Sequence, residues 1–140
     1  MKQYDPKQLI ITFANVPISG FDAGSFVKVA RNEDTWTLSV GADGQSARTR
    51  NQNRSGIVVF TLQQSSPSND VLSAFAVQDE LLGVGVAPML VKDLVGTSLY
   101  AAQNAWVKKP ADTEFAKEFQ SREWTIECSD LNVFVGGALG

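Results

Sequence analysis

The sequence predicts a mainly β fold carrying one helix. Short β-branched and aromatic runs recur along the chain between turn-forming residues, two of them alternate apolar and polar positions with period two, and a single segment joins a helix start to a helical apolar stripe. The chain has 140 residues, of which 44% are hydrophobic and 19% charged. That suits one domain over residues 1–140 with a substantial core.

Leu9 to Ala14 is the first strand, closed by a turn segment from Asn15 to Gly20 with Pro17 inside. Phe26 to Ala30 is the next. In Thr35 to Val40, Trp36, Leu38 and Val40 fall on one face and hydroxyls on the other, so that face is expected to be buried. Asp43-Gly44 suits a type I′ turn, which would send the chain back through Gln45 to Arg50 as a hairpin arm over about 41–56. The returning side places Arg48, Arg50 and Arg54 among Asn51, Gln52 and Asn53, a composition that has no place in a monomer's core. The arm is expected to project.

Ile57 to Leu62 is apolar on both faces at first and fits a strand covered on each side. Ser66-Pro67, with Asp70 in the opening turn, starts a helix over about 67–82, where Val71, Leu72, Phe75 and Ala76 form the stripe and Gly83 the stop. Val86 to Val95 and Ser98 to Val107 are strands around Gly96, Pro88 restricting the first to an edge or a strand start. Phe115 and Phe119, four apart, fit either a helical turn or an anchored loop. Glu123 to Ser129 alternates again and should bury Trp124, Ile126 and Cys128. At Asp130 the apolar phase moves to Leu131, Val133 and Val135, which predicts a bulge or turn before Gly136-Gly137 ends the fold.

The chemistry is chiefly one of exclusions. Cys128 is the single cysteine and there is no histidine, which removes an internal disulfide, the CxxC zinc spacing, and Ser-His or Cys-His nucleophile pairs. Cys128, in step with Trp124 and Ile126, reads as a buried inert thiol of a protein from a reducing compartment. Asp79-Glu80 lacks the partners that acid–base catalysis needs, and Gly83-Val84-Gly85-Val86 follows a helix where a phosphate loop would precede one. No catalytic residue, cofactor or metal is expected, and the protein is not read as an enzyme. The formal charge of −3, without a run of Lys or Arg, suits a wall that does not hold DNA. The polar start at Met1 to Pro6 predicts no signal peptide, and no apolar stretch approaches the roughly 20 residues of a membrane span.

The order Val40-Gly41-Ala42-Asp43-Gly44, Ser55 to Leu62, then Ser66-Pro67-Ser68-Asn69 with Leu72 resembles tail tube proteins of contractile-tailed phages, as does the end Glu123 to Cys128 with Gly136-Gly137. The resemblance covers most of the chain, and its order and spacing carry it. It implies a β-sandwich or half-barrel with one flanking helix, whose sheets join between subunits in hexameric rings. It also implies stacking of those rings into a channel for genome passage, in a virion assembled in the host cytoplasm. The implied partners are further copies of the chain and sheath, baseplate and tail-terminator proteins, with DNA passing the lumen unbound and no membrane involved.

On that reading the candidate assembly interface is Asp43, Gly44, Arg48, Arg50, Asn51 and Arg54. The arginines suit bidentate pairing with carboxylates across an interface, and equally an ordinary solvated hairpin. Trp36 and Trp124 read as core residues, while Trp106 beside Lys108 and Lys109 stays open. The alternatives are a tube of another injection machine, such as a tailocin or secretion system, and a monomeric β-sandwich that binds a small ligand.

Overall fold

The computed structural model describes residues 9–21, 27–94, 96–113, 115 and 121–136. The elements run β1 (Leu9–Phe13), β2 (Val16–Pro17), β3 (Val27–Arg31), β4 (Trp36–Val40), β5 (Ser46–Arg50), β6 (Gly56–Leu62), α1 (Ser68–Leu82), β7 (Ala87–Asp93), β8 (Leu99–Lys109), β9 (Arg122–Cys128) and β10 (Leu131–Phe134). Every strand pairing is antiparallel. The main sheet has the order β2-β1-β7-β8-β9-β6-β3, with β10 also on β8, while β4 and β5 form a sheet of their own. The fold is mainly β and sandwich-like, and the described residues form one flanking helix and no closed barrel.

Register explains why one face of this sheet is the core. Val58 stands opposite Ile126 and Phe60 opposite Trp124, Val107 faces Ile126 and Ala105 faces Cys128, and Ile11 and Phe13 face Val91 and Met89. All of these side chains are buried. Each strand's alternation therefore delivers its apolar set to the same surface, and a slip of one residue would turn that set to solvent.

Helix α1 covers this face. Pro67 starts it with φ −66°, the Ser66 hydroxyl accepts the Ser68 N–H at 3.2 Å, and Gly83 ends it in the left-handed region at φ 66°. Of the expected stripe, Leu72 and Ala76 are buried and Phe75 packs edge-on against Phe13 at 5.0 Å between ring centres. A second anchor is polar: the Trp124 indole Nε1–H donates to Asn69 Oδ1 at 2.9 Å, and Asn69 Nδ2 donates to the carbonyls of Gln63 and Ser66 at 3.0 and 3.1 Å.

The phase change at Asp130 is a bend shared by neighbouring strands. β9 and β10 line up end to end along one edge of β8 and keep one register across the join, Cys128 opposite Ala105 and Leu131 opposite Ala102, with the Ser129 N–H on the Asn104 carbonyl at 3.0 Å. Buried positions step by three residues in both chains, from Ala102 to Ala105 and from Cys128 to Leu131. β7 takes only two, Ala87 to Met89, over the same stretch of β8, so its register shifts there, beside Pro88. Leu131 thereby stays in the core and fills the space above Gly56, where a Cβ would lie 2.6 Å from its Cδ2.

Some expectations need correcting. Asn15 to Gly20 is no plain turn: Ala14 and Asn15, at φ 55° and 63°, make a tight reversal into β2. Val133 and Val135 are exposed, since only Leu131 of β10 reaches the core. Phe115 is exposed, and Phe119, Phe26, Gly137 and the N-terminal Met1 to Pro6 lie outside the described residues.

Candidate functional site

The arm expected at about 41–56 is in the structure a hairpin shifted towards the N-terminus, made of β4 and β5 over residues 36–50, with all ten of its strand residues exposed. Its turn differs from the expected type. Ala42 and Asp43 keep negative φ, Gly44 alone is positive at 85°, and the Gly44 N–H bonds the Gly41 carbonyl at 3.0 Å. This is a three-residue loop with glycine at the left-handed position rather than a type I′ pair. Asp43 Oδ1 tightens it by accepting the Gln45 N–H at 3.2 Å.

The largest correction concerns Trp36, Leu38 and Val40. They share a face as the alternation requires, but that face is open to solvent, with Trp36 45% and Leu38 71% exposed. Cross-strand register gives the reason: Trp36 pairs with Arg50, Leu38 with Arg48 and Val40 with Ser46, so the apolar row sits beside arginines, and among the described residues the hairpin joins no strand of the main sheet. Arg48 lies over the Trp36 ring at 3.9 Å from its centre, a cation–π contact within the arm. Among the described residues neither Arg48 nor Arg50 has an acidic partner.

The six candidate residues divide into groups. Asp43 and Gly44 shape the tip. Asn51 locks the base, its N–H on the Thr35 carbonyl at 2.7 Å and its Nδ2 on Glu33 Oε2 at 2.6 Å. Arg54 is not on the arm: it reaches Asp130 at 3.3 Å and Asn132 Oδ1 at 2.6 Å, and its carbonyl accepts the Leu131 N–H at 2.9 Å. Arg31 braces the same corner through two bonds to the Leu131 carbonyl at 2.9 and 3.2 Å. The arm is thus a rigid-based projection whose free chemistry is an apolar row flanked by Arg48 and Arg50.

A second open apolar surface went unforeseen. Past the buried part of α1, Val77, Leu81, Leu82 and Val84 are exposed, Leu81 by 76% and Leu82 by 73%. The signal lay in the sequence, because Val77 and Leu81 are four apart and off the predicted stripe. Gly83 to Val86 is the helix exit rather than a phosphate loop. Asp79 accepts the Gly85 N–H at 3.3 Å, and a Cβ on Gly85 would meet the Phe75 carbonyl at 2.6 Å.

No group of three His, Cys, Asp or Glu is placed to hold a metal among the described residues, and no helix among them is long and apolar enough to cross a membrane. Trp106 is half-buried. Cys128 is buried as expected, and burial, helped by Glu127, pushes its thiol up to about 11 from 9.0. The raised value favours the protonated thiol, so its share of stability is complete below pH 9 and is lost as pH rises towards 11. Native protein should accordingly resist thiol alkylation at pH 8 and become reactive on unfolding, with stability falling between pH 9 and 11 in denaturant melts.

Comparison with known proteins places this architecture. Residues 14–136 match the model of the family described as Bacteriophage PhiTE tail tube protein. Structural protein ORF10 of Pseudomonas phage KPP10 is 32% identical over 142 aligned positions, covering 96% of this chain and 82% of the relative. Among solved structures, the fold is similar to a chain of the PVC extracellular contractile injection system, described as its sheath/tube terminator in the extended state. The TM-score is 0.66 at 12% identity, over 96% of this chain and 99% of that one. The tube-terminating cap of the anti-feeding prophage follows at TM-score 0.63 and 11% identity, over 96% and 93% of the two chains. A chain of the PVC sheath–tube complex gives TM-score 0.63 at 12% identity, over 94% and 91%. With the family model matching residues 14–136 of the chain and a phage structural protein as relative, the chain belongs to the Bacteriophage PhiTE tail tube protein family.

Proposed function

We propose that the protein builds the inner tube of a contractile phage tail as stacked hexameric rings, and that DNA leaves the virion through their bore. One observation carries this reading: a hairpin anchored by a hydrogen-bonded base presents Trp36, Leu38 and Val40 with two arginines beside them, a surface that nothing among the described residues covers. Such a patch marks an association site. The main sheet adds a second argument, since among the described residues its outer strands β3 and β2 each have one neighbour. Joining β3 to a strand of the next copy would satisfy an edge that is a liability in a monomer. The lumen wall would repel rather than hold DNA, in keeping with the formal charge of −3. Sheath, baseplate and terminator proteins are the further partners, and assembly takes place in the host cytoplasm.

Negative-stain microscopy of purified protein over a range of salt and concentration should reveal rings or tubes with a central channel and six-fold end views. Monomers under every condition, with light scattering in agreement, would overturn the proposal and favour a ligand-binding sandwich. Genes for capsid and terminase beside this one would separate a phage tail from a tailocin or secretion-system tube.

A further inference from the structure

We infer that the exposed face of the β4–β5 hairpin docks on the C-terminal end of helix α1 in a second copy of the chain. This rests on the reading of the protein as a self-assembling subunit and names the two surfaces that meet.

Three observations on separate parts of the molecule converge. The hairpin offers an apolar row with Arg48 and Arg50 alongside, and the helix end offers Val77, Leu81 and Leu82, extended by Val84 beyond the cap. Their charges are complementary: α1 carries Asp70, Asp79 and Glu80 and no basic residue, and the hairpin strands carry two arginines and no acid. The third observation is local to the helix. Carbonyl groups at a helix C-terminus present partial negative charge and favour cations in the last turn. Here the last turn holds no basic residue, and Asp79 and Glu80 add negative charge to it. Asp79 is engaged by the Gly85 N–H, so Glu80 and the free carbonyls are the acceptors left for an incoming guanidinium. Arginines from a neighbouring hairpin supply the cations that the helix lacks, and the two apolar patches cover each other.

The test uses two single-site variants of the full chain, Leu38→Cys and Leu81→Cys. Native Cys128 is buried and stays silent. Mixed under assembly conditions and treated with a short bis-maleimide, they should give a crosslinked heterodimer several-fold more abundant than either homodimer, with the linkage mapped by mass spectrometry. A mixture that forms tubes without this heterodimer would overturn the docking while leaving the tube intact. A heterodimer without tubes would support the docking and sink the tube. In a double Leu38→Cys, Leu81→Cys chain, a link confined to one chain would overturn the inference, because the hairpin would then fold onto its own helix. As a separate arm, Arg48→Glu with Arg50→Glu should reduce assembly at least tenfold, and adding Glu80→Arg should recover much of it. Failure of that recovery in soluble, folded protein would overturn the pairing.

Discussion

Replacing Trp124 by alanine is expected to cost about 3–5 kcal/mol of folding stability, the range for emptying a buried aromatic site. The side chain is only 3% exposed and sits on β9 opposite Phe60 of β6, in the middle of the buried face. It is also the hinge pin between sheet and helix, because its indole N–H is donated to Asn69, whose own amide holds the carbonyls of the segment leading into α1. Alanine therefore opens a cavity and strands the Asn69 oxygen at once. Trp124→Phe separates the two effects: it keeps most of the volume and should cost about 1–3 kcal/mol for the unpaired buried acceptor. In thermal melts the alanine variant should fall by roughly 10 °C or more for a chain of this size. A loss below about 1 kcal/mol would mean that the helix does not rest on this strand.

The second large effect is expected on assembly, with folding left almost untouched. Arg48→Ser combined with Arg50→Ser should abolish polymerisation or make it strongly salt-sensitive, while the unfolding free energy of the subunit changes by less than about 1 kcal/mol, as for other exposed charges. Both residues are exposed and without acidic partners among the described residues. Arg54 must be left out of this variant, although the sequence groups it with them, because it lies off the arm and ties the β6 approach to Asp130 and Asn132, so its loss would not report on the arm. Trp36→Ala belongs with the arm for the same reason: an indole 45% exposed leaves no core cavity, so its removal should cost less than about 1 kcal/mol in the subunit and be felt in assembly. Sedimentation of the polymer alongside melts of the subunit reads both quantities. Tubes of normal length from the double variant would make the arm a solvated ornament, and an unfolded subunit would make it core structure.

The sequence by itself determined the strand and helix menu of this protein. Alternation in Glu123 to Ser129, proline at the head of α1 and glycine at its end act through local sterics and backbone hydrogen bonding, and these are readable without neighbours. It also showed that the returning strand of the hairpin is too polar for a small core, since Ser46, Arg48, Thr49 and Arg50 offer no apolar residue larger than Ala47. What it could not determine is which apolar faces find cover. The rows Trp36-Leu38-Val40 and Trp124-Ile126-Cys128 have the same period and similar residues, yet the first is exposed and the second buried. Only the tertiary structure decided between them, because burial depends on the register partner. β9 lies between β6 and β8 beneath a helix, and among the described residues β4 is paired with one polar strand alone. Arg54 leaves its neighbours Arg48 and Arg50 for the same reason: pairing across 78 residues, through Asn132, outweighs six residues of sequence proximity.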